Sequence, residues 1–111
     1  MSKIDYYQYQ VVVVNLEPGM GRETRKVRPC VIISPNEMNE NLQTVIIAPL
    51  TTQSKGFPTR VPVMVNKQRG YVILEQIRTI DKRRISKTNG DRLKRTEITN
   101  LRRILKEMLI D

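Results

Sequence analysis

The chain has no histidine and no tryptophan, with one cysteine and one phenylalanine among its 111 residues. Each shortage removes a class of chemistry. Without histidine there can be no serine–histidine triad, no cysteine–histidine dyad and no histidine-ligated zinc. Any reaction has to run on Arg, Lys, Glu, Asp, Tyr or hydroxyl groups. A lone cysteine makes no intramolecular disulfide, and Cys30, between Pro29 and Val31 in an apolar run, reads as a core thiol. No apolar run approaches the roughly 18 residues of a membrane span, and Met1 to Gln10 carries no signal-like hydrophobic segment. A soluble, cytoplasmic protein with no membrane partner is expected. Dinucleotide fingerprints, phosphate loops and calcium-loop patterns are also missing, so no cofactor and no metal is expected.

Acidic residues are scarce beside basic ones: eleven Asp and Glu against twenty Lys and Arg, a formal charge of +9. That balance favours polyanionic partners, nucleic acid first and an acidic protein second. Eleven of the twenty cations fall from Arg78 onward, so the positive field is uneven. The length suits one domain over residues 1–111 with a single core.

Short apolar runs dominate what is present. Residues 10–16, rich in valine, predict a strand buried on both faces. Pro18, Gly19 and Gly21 open a polar loop through Lys26, long for a hairpin and a candidate functional flap. A second strand begins near Arg28, one helical turn is expected over Glu37 to Asn41, and a third strand spans Thr44 to Leu50. Thr59 to Val65 alternates as a half-exposed strand, irregularly paired, with Pro62 marking an edge or bulge. Gln68, Arg69 and Gly70 predict a turn, and Tyr71 to Asp81 one long bent strand or two in succession. Ile98, Leu101, Ile104, Leu105, Met108 and Leu109 recur at helical steps behind Thr96 as N-cap, which predicts a closing amphipathic helix. Five to seven short strands capped by one helix predict a small, strongly bent barrel or half-barrel.

Arg28 stands out, because a guanidinium at the mouth of an apolar strand is rarely buried without an anion. It faces either a structural carboxylate or a cleft. If the second and third strands pair, Arg28 and the hydroxyls of Thr51 and Thr52 line one surface, suited to phosphate. Gln53, Ser54, Lys55 and Gly56 form a polar loop, either plainly solvated or fit to hydrogen-bond single-stranded bases. Tyr6, Tyr7 and Tyr9 are assigned mostly to core or interface packing.

In order, Asn15-Leu16-Glu17-Pro18 with Gly21 and Glu23, Val27-Arg28-Pro29, Pro49-Leu50-Thr51-Thr52-Gln53-Ser54-Lys55, and Glu75-Gln76-Ile77-Arg78-Thr79-Ile80-Asp81 resemble the MazF/PemK family of toxin endoribonucleases. The resemblance implies an SH3-like (CcdB/PemK-type) barrel with a C-terminal helix and a homodimer. It further implies sequence-specific, metal-independent cleavage of single-stranded RNA, and neutralisation by an acidic antitoxin. Matched position by position, Arg28 and Thr51 take the catalytic places and Gln76 an RNA-contacting one. Glu75 falls where some relatives place an aspartate proposed as general base; those relatives have an arginine two residues earlier, where this chain has Ile73. Many members also place Gly-Asp where this chain has Tyr9 and Gln10.

RNA carries its own nucleophile in the 2′-hydroxyl, so catalysis needs alignment, charge stabilisation and proton transfer rather than an enzymic nucleophile. Arg28 suits the charge and Thr51 a supporting hydrogen bond, while Glu23 and Glu75 are the candidate carboxylates for the proton. Lys26, Thr52, Gln53, Ser54, Lys55, Gln76 and Arg78 are the expected RNA-binding positions. The alternative on the same barrel is a non-catalytic protein, a gyrase poison or an RNA-binding module.

Overall fold

A computed structural model of the chain describes residues 5–16 and 27–111. In order it places β1 (Gln10–Asn15), β2 (Val27–Ile32), the short helix α1 (Asn36–Asn41), β3 (Thr44–Thr51), β4 (Arg60–Val65), β5 (Gln68–Ile73), β6 (Arg78–Asp81), β7 (Ile85–Arg92) and the helix α2 (Arg95–Leu109). One seven-stranded antiparallel sheet runs β4-β5-β3-β2-β1-β7, with β6 paired to β3 beside β5. It curls into a half-barrel closed by α2, the mainly β fold with a terminal helix that the sequence predicts.

Both faces of the sheet are apolar, which is why the strands lack simple alternation. One face collects Val11, Val31, Ala48, Leu50, Val61, Val63, Val72 and Leu74 against Leu101 and Ile104 of α2. The opposite face collects Val12, Val14, Cys30, Ile32, Val45, Ile47 and Ile80. Cys30 is fully buried, as expected of a core thiol. Tyr9 joins the first cluster and Tyr6 packs on the second, whereas Tyr7 is exposed and lies under Arg92, 5.9 Å from its ring centroid. Tyr9 holds φ at 69°, the left-handed region that favours glycine. This is the position where relatives were expected to carry glycine, and here a buried ring outweighs the backbone cost.

Three local expectations need correcting. The β4–β5 turn falls at Asn66 and Lys67, both at positive φ, as in a two-residue hairpin, and Gln68, Arg69 and Gly70 belong to β5. Pairing of β4 is regular from Arg60↔Ile73 to Val65↔Gln68, with Val61 and Val63 buried and Pro62 exposed on an edge strand. The helix α2 starts at Arg95 behind Lys94, because the Glu97 carboxylate accepts the Lys94 backbone N–H at 2.8 Å; Thr96 is not the cap. Strand β7, in a stretch for which the sequence pattern predicts no element, pairs with β1 through a register shift near Gly90, which takes φ 80°. The region Tyr71 to Asp81 is two strands separated by a 3-10 turn at Leu74–Gln76. Among the described residues no helix is long and apolar enough to cross a membrane.

Candidate active site

The site forms where β2 and β3 part. Their ladder pairs Ile32 with Ile47, Val31 with Ala48 and Cys30 with Pro49, and then ends. Carried two residues further, the same register sets Arg28 opposite Thr51, both on the strand face shared with Cys30. Instead, β2 stays with β1 through Val14↔Arg28, while β3 turns to β5 through Leu50↔Val72 and Thr51↔Tyr71. A split of this kind opens a cleft between two residues that the fold has already aligned.

The cleft measures about 360 Å³ and is lined by Val11, Arg28, Pro29, Leu50, Thr51, Thr52, Val65, Asn66, Gln68, Arg69 and Gly70. Its polar groups are two arginines, two threonines and two amides, and no carboxylate lines it among the described residues. Arg28 is half-buried and makes no ion pair among the described residues. A part-buried guanidinium that no described carboxylate engages presents planar donors suited to a phosphate. Thr51 Oγ1 accepts the Gln53 N–H at 3.3 Å, so its own proton can be donated. Gly70 lies against Thr51 because a Cβ there would stand 3.3 Å from the Thr51 carbonyl oxygen.

Arg28 and Arg78 act together on one group. Burial pushes the Cys30 thiol up to about 12, with both guanidinium groups pulling it partly back. Arg78 stands opposite Ile47 on the sheet face that carries Cys30, two residues from Arg28, and it is exposed. Gln76 is exposed in the 3-10 turn that precedes it. Thr52, Gln53 and Lys55 are exposed and Ser54 half-buried in the loop after β3. Glu23 and Lys26 lie outside the described residues.

Glu75 is placed elsewhere. It does not line the cleft; its Oε2 accepts from Arg60 Nε at 3.1 Å and Nη2 at 3.0 Å, and its Oε1 accepts from Thr59 Oγ1 at 2.6 Å. Burial opposes ionisation, but the bonds from Thr59 and Arg60 outweigh it and hold the carboxyl below its usual range. A carboxylate so held is a weaker base. The 3-10 turn explains the displacement, since it interrupts the strand that would otherwise carry Glu75 along β3.

Sequence reasoning missed Asn66, Gln68, Arg69 and Gly70, which the β4–β5 hairpin folds over the cleft. The signal was Asn66 itself, a residue that tolerates positive φ, but Lys67 stands where a glycine would have announced the turn. No group of three or more potential metal-ligating His, Cys, Asp or Glu side chains occurs among the described residues.

Comparison with known proteins fits this geometry. The chain is 31% identical over 70 residues to the endoribonuclease toxin MazF of Escherichia coli K12, a match spanning 63% of each protein. Its fold superposes on a crystal structure of MazF from Deinococcus radiodurans with TM-score 0.76 and 23% identity, covering 93% of this chain and 94% of that one. It also matches a mycobacterial endoribonuclease solved in complex with its cognate antitoxin, at TM-score 0.75 and 26% identity over 93% of each chain. The family profile described as PemK-like, MazF-like toxin of type II toxin–antitoxin systems matches residues 7–109. The chain belongs to that family.

Proposed function

We propose that this protein is an endoribonuclease toxin that cleaves single-stranded RNA at preferred sequences, without a metal, in the cytoplasm. The observation that carries the proposal is the half-buried Arg28, without an ion pair among the described residues, lining one cleft with Thr51 where no described residue supplies a carboxylate. In the step we assign, the 2′-oxygen attacks the adjacent phosphorus and the P–O5′ bond breaks. The products are a 2′,3′-cyclic phosphate and a 5′-hydroxyl. Arg28 neutralises the charge that gathers on the non-bridging oxygens, and Thr51 donates one further hydrogen bond. The 2′ proton goes to a base and the departing O5′ gains a proton, so no redox partner or cofactor is consumed. With Glu75 engaged by Arg60, we assign the acceptor role to Glu23, on the segment joining β1 and β2. Arg69 and Arg78 hold neighbouring phosphates, as do Lys26 and Lys55, while Thr52, Gln53, Ser54, Asn66, Gln68 and Gln76 contact bases.

The name of the E. coli relative supports RNA cleavage, and the mycobacterial complex supports control by an antitoxin. The +9 charge suits an acidic antitoxin as well as RNA. We further propose a homodimer as the working unit. The test is incubation of the purified protein with a mixed RNA pool in EDTA, alongside an RNA bearing 2′-deoxy sugars at the mapped cut sites. Cleavage of the first and none of the second is expected. Intact RNA, or cutting of the deoxy substrate, overturns the proposal.

A further inference from the structure

The loop between β3 and β4 has little of its own to hold it. Its internal bonds are long: Gly56 N–H to Ser54 Oγ at 3.3 Å and Phe57 N–H to the Ser54 carbonyl at 3.4 Å. Lys55 and Gly56 both take positive φ, at 53° and 70°. Beside the bond from the Arg60 N–H to the Phe57 carbonyl at 3.1 Å, the loop is held by one side chain at its far end. Arg60 donates Nη1 to the Gln53 carbonyl at 3.0 Å while Nε and Nη2 grip Glu75, and its side chain is only 10% exposed. The same guanidinium lies 5.1 Å from the centroid of Phe57, whose ring remains about half exposed. Glu75 in turn is fixed by Thr59.

We propose that Arg60 clamps the Thr51–Pro58 loop into a rigid reader of RNA bases, with the open face of Phe57 as a stacking platform for one nucleobase. An arginine fork is needed because Nη1 reaches the Gln53 carbonyl while Nε and Nη2 converge on Glu75 Oε2; lysine reaches one of these two partners and not the other. An exposed phenylalanine immobilised from behind by a cation is pre-organised for stacking, which is sequence-tolerant, while the loop amides and hydroxyls supply selection. Arg60 is thus a positioning residue and Phe57 a binding one. Glu75 belongs to the clamp rather than to proton transfer. The proposal rests on the RNA-cleaving reading for its substrate, and its structural half can be tested without RNA.

Four variants test it: Arg60→Lys, Glu75→Gln, Phe57→Leu and Phe57→Trp. Amide exchange over residues 53–57 is expected to accelerate at least tenfold in Arg60→Lys and Glu75→Gln, with exchange in β1–β3 unchanged. Combining those two should add little to either alone, as expected of one coupled unit. On RNA, Arg60→Lys should spread the cut sites and act on KM rather than kcat. Phe57→Leu should raise KM roughly tenfold, and Phe57→Trp should keep it near wild type. Unchanged loop exchange in both clamp variants overturns the clamp, whatever the protein cuts. Faster exchange with an unaltered cleavage pattern overturns the reader role, and Phe57→Leu with wild-type KM overturns the platform. A kcat loss in Glu75→Gln without loop loosening would return Glu75 to catalysis. Wild type that cuts no RNA refutes the reader and platform along with the enzymatic reading, while the exchange result still decides the clamp.

Discussion

Glu97 joins two elements through one carboxylate, and its removal gives a stability prediction that can be worked from the distances. Oε1 accepts the Lys94 N–H at 2.8 Å, which caps the start of α2, and Oε2 accepts the Met64 N–H at 2.8 Å, on the outer edge of β4. The first bond satisfies the Lys94 amide at the helix start, and loss of such a cap costs about 1 kcal/mol. The second satisfies an amide on an edge strand and contributes a further ~0.5–1.5 kcal/mol net. Glu97→Ala should therefore lose about 2 kcal/mol, and at roughly 4 °C per kcal/mol for a chain of this size the Tm should fall by about 8 °C. Glu97→Gln keeps one acceptor oxygen and should lose about half as much. Thermal and urea unfolding followed by circular dichroism at neutral pH reads both. A fall under about 2 °C for alanine, or an equal loss for glutamine and alanine, would refute the two-bond account.

Gly70→Ala places a Cβ 3.3 Å from the Thr51 carbonyl oxygen, so Thr51 must give by a few tenths of an ångström. RNA cleavage should drop about tenfold with the Tm nearly unchanged, and full activity would show that Thr51 needs no such placement. Cys30, fully buried and pushed up to about 12, should resist alkylation at pH 8 in the native protein and react at once in urea; modification of the native thiol would contradict its burial. For Glu75, whose carboxyl is held below the ordinary 4.5, the clamp's contribution is fully present above that value and fades as pH falls through the lowered one. The Tm gap between wild type and Glu75→Gln should thus be constant near neutrality and close in acid, and a pH-independent gap counts against an ionised clamp.

What the sequence disclosed divides along physical lines. Strands β1, β2 and β3 are dense in β-branched residues, and the apolar stripe from Ile98 to Leu109 has helical period, so local pattern and tertiary burial agree there. Strand β7 has one large apolar residue, Ile85, and owes its conformation to pairing with β1, which no local pattern reveals. The Asn66–Lys67 turn lacked its glycine, and the hairpin it makes brings Arg69 to the cleft. Arg28 and Thr51 were recognisable as a cation and a hydroxyl at the ends of neighbouring apolar strands. Their meeting in one cleft depends on the β2–β3 register and on where that ladder ends. The partner of Glu75 was hidden because Arg60 lies 15 residues away across a hairpin. A candidate base in the linear chain thus becomes an ion-paired anchor in the folded one.

The most direct test is single-turnover cleavage of one preferred RNA by wild type, Arg28→Lys and Arg28→Ala, each checked for native unfolding behaviour. Removing a donor aimed at developing transition-state charge should lower the rate about 10²–10³-fold in Arg28→Ala. Lysine should recover only part of that loss, since it keeps the charge without the bidentate geometry. A folded Arg28→Ala protein that cuts at the wild-type rate would contradict the assignment of Arg28 to the reacting phosphate.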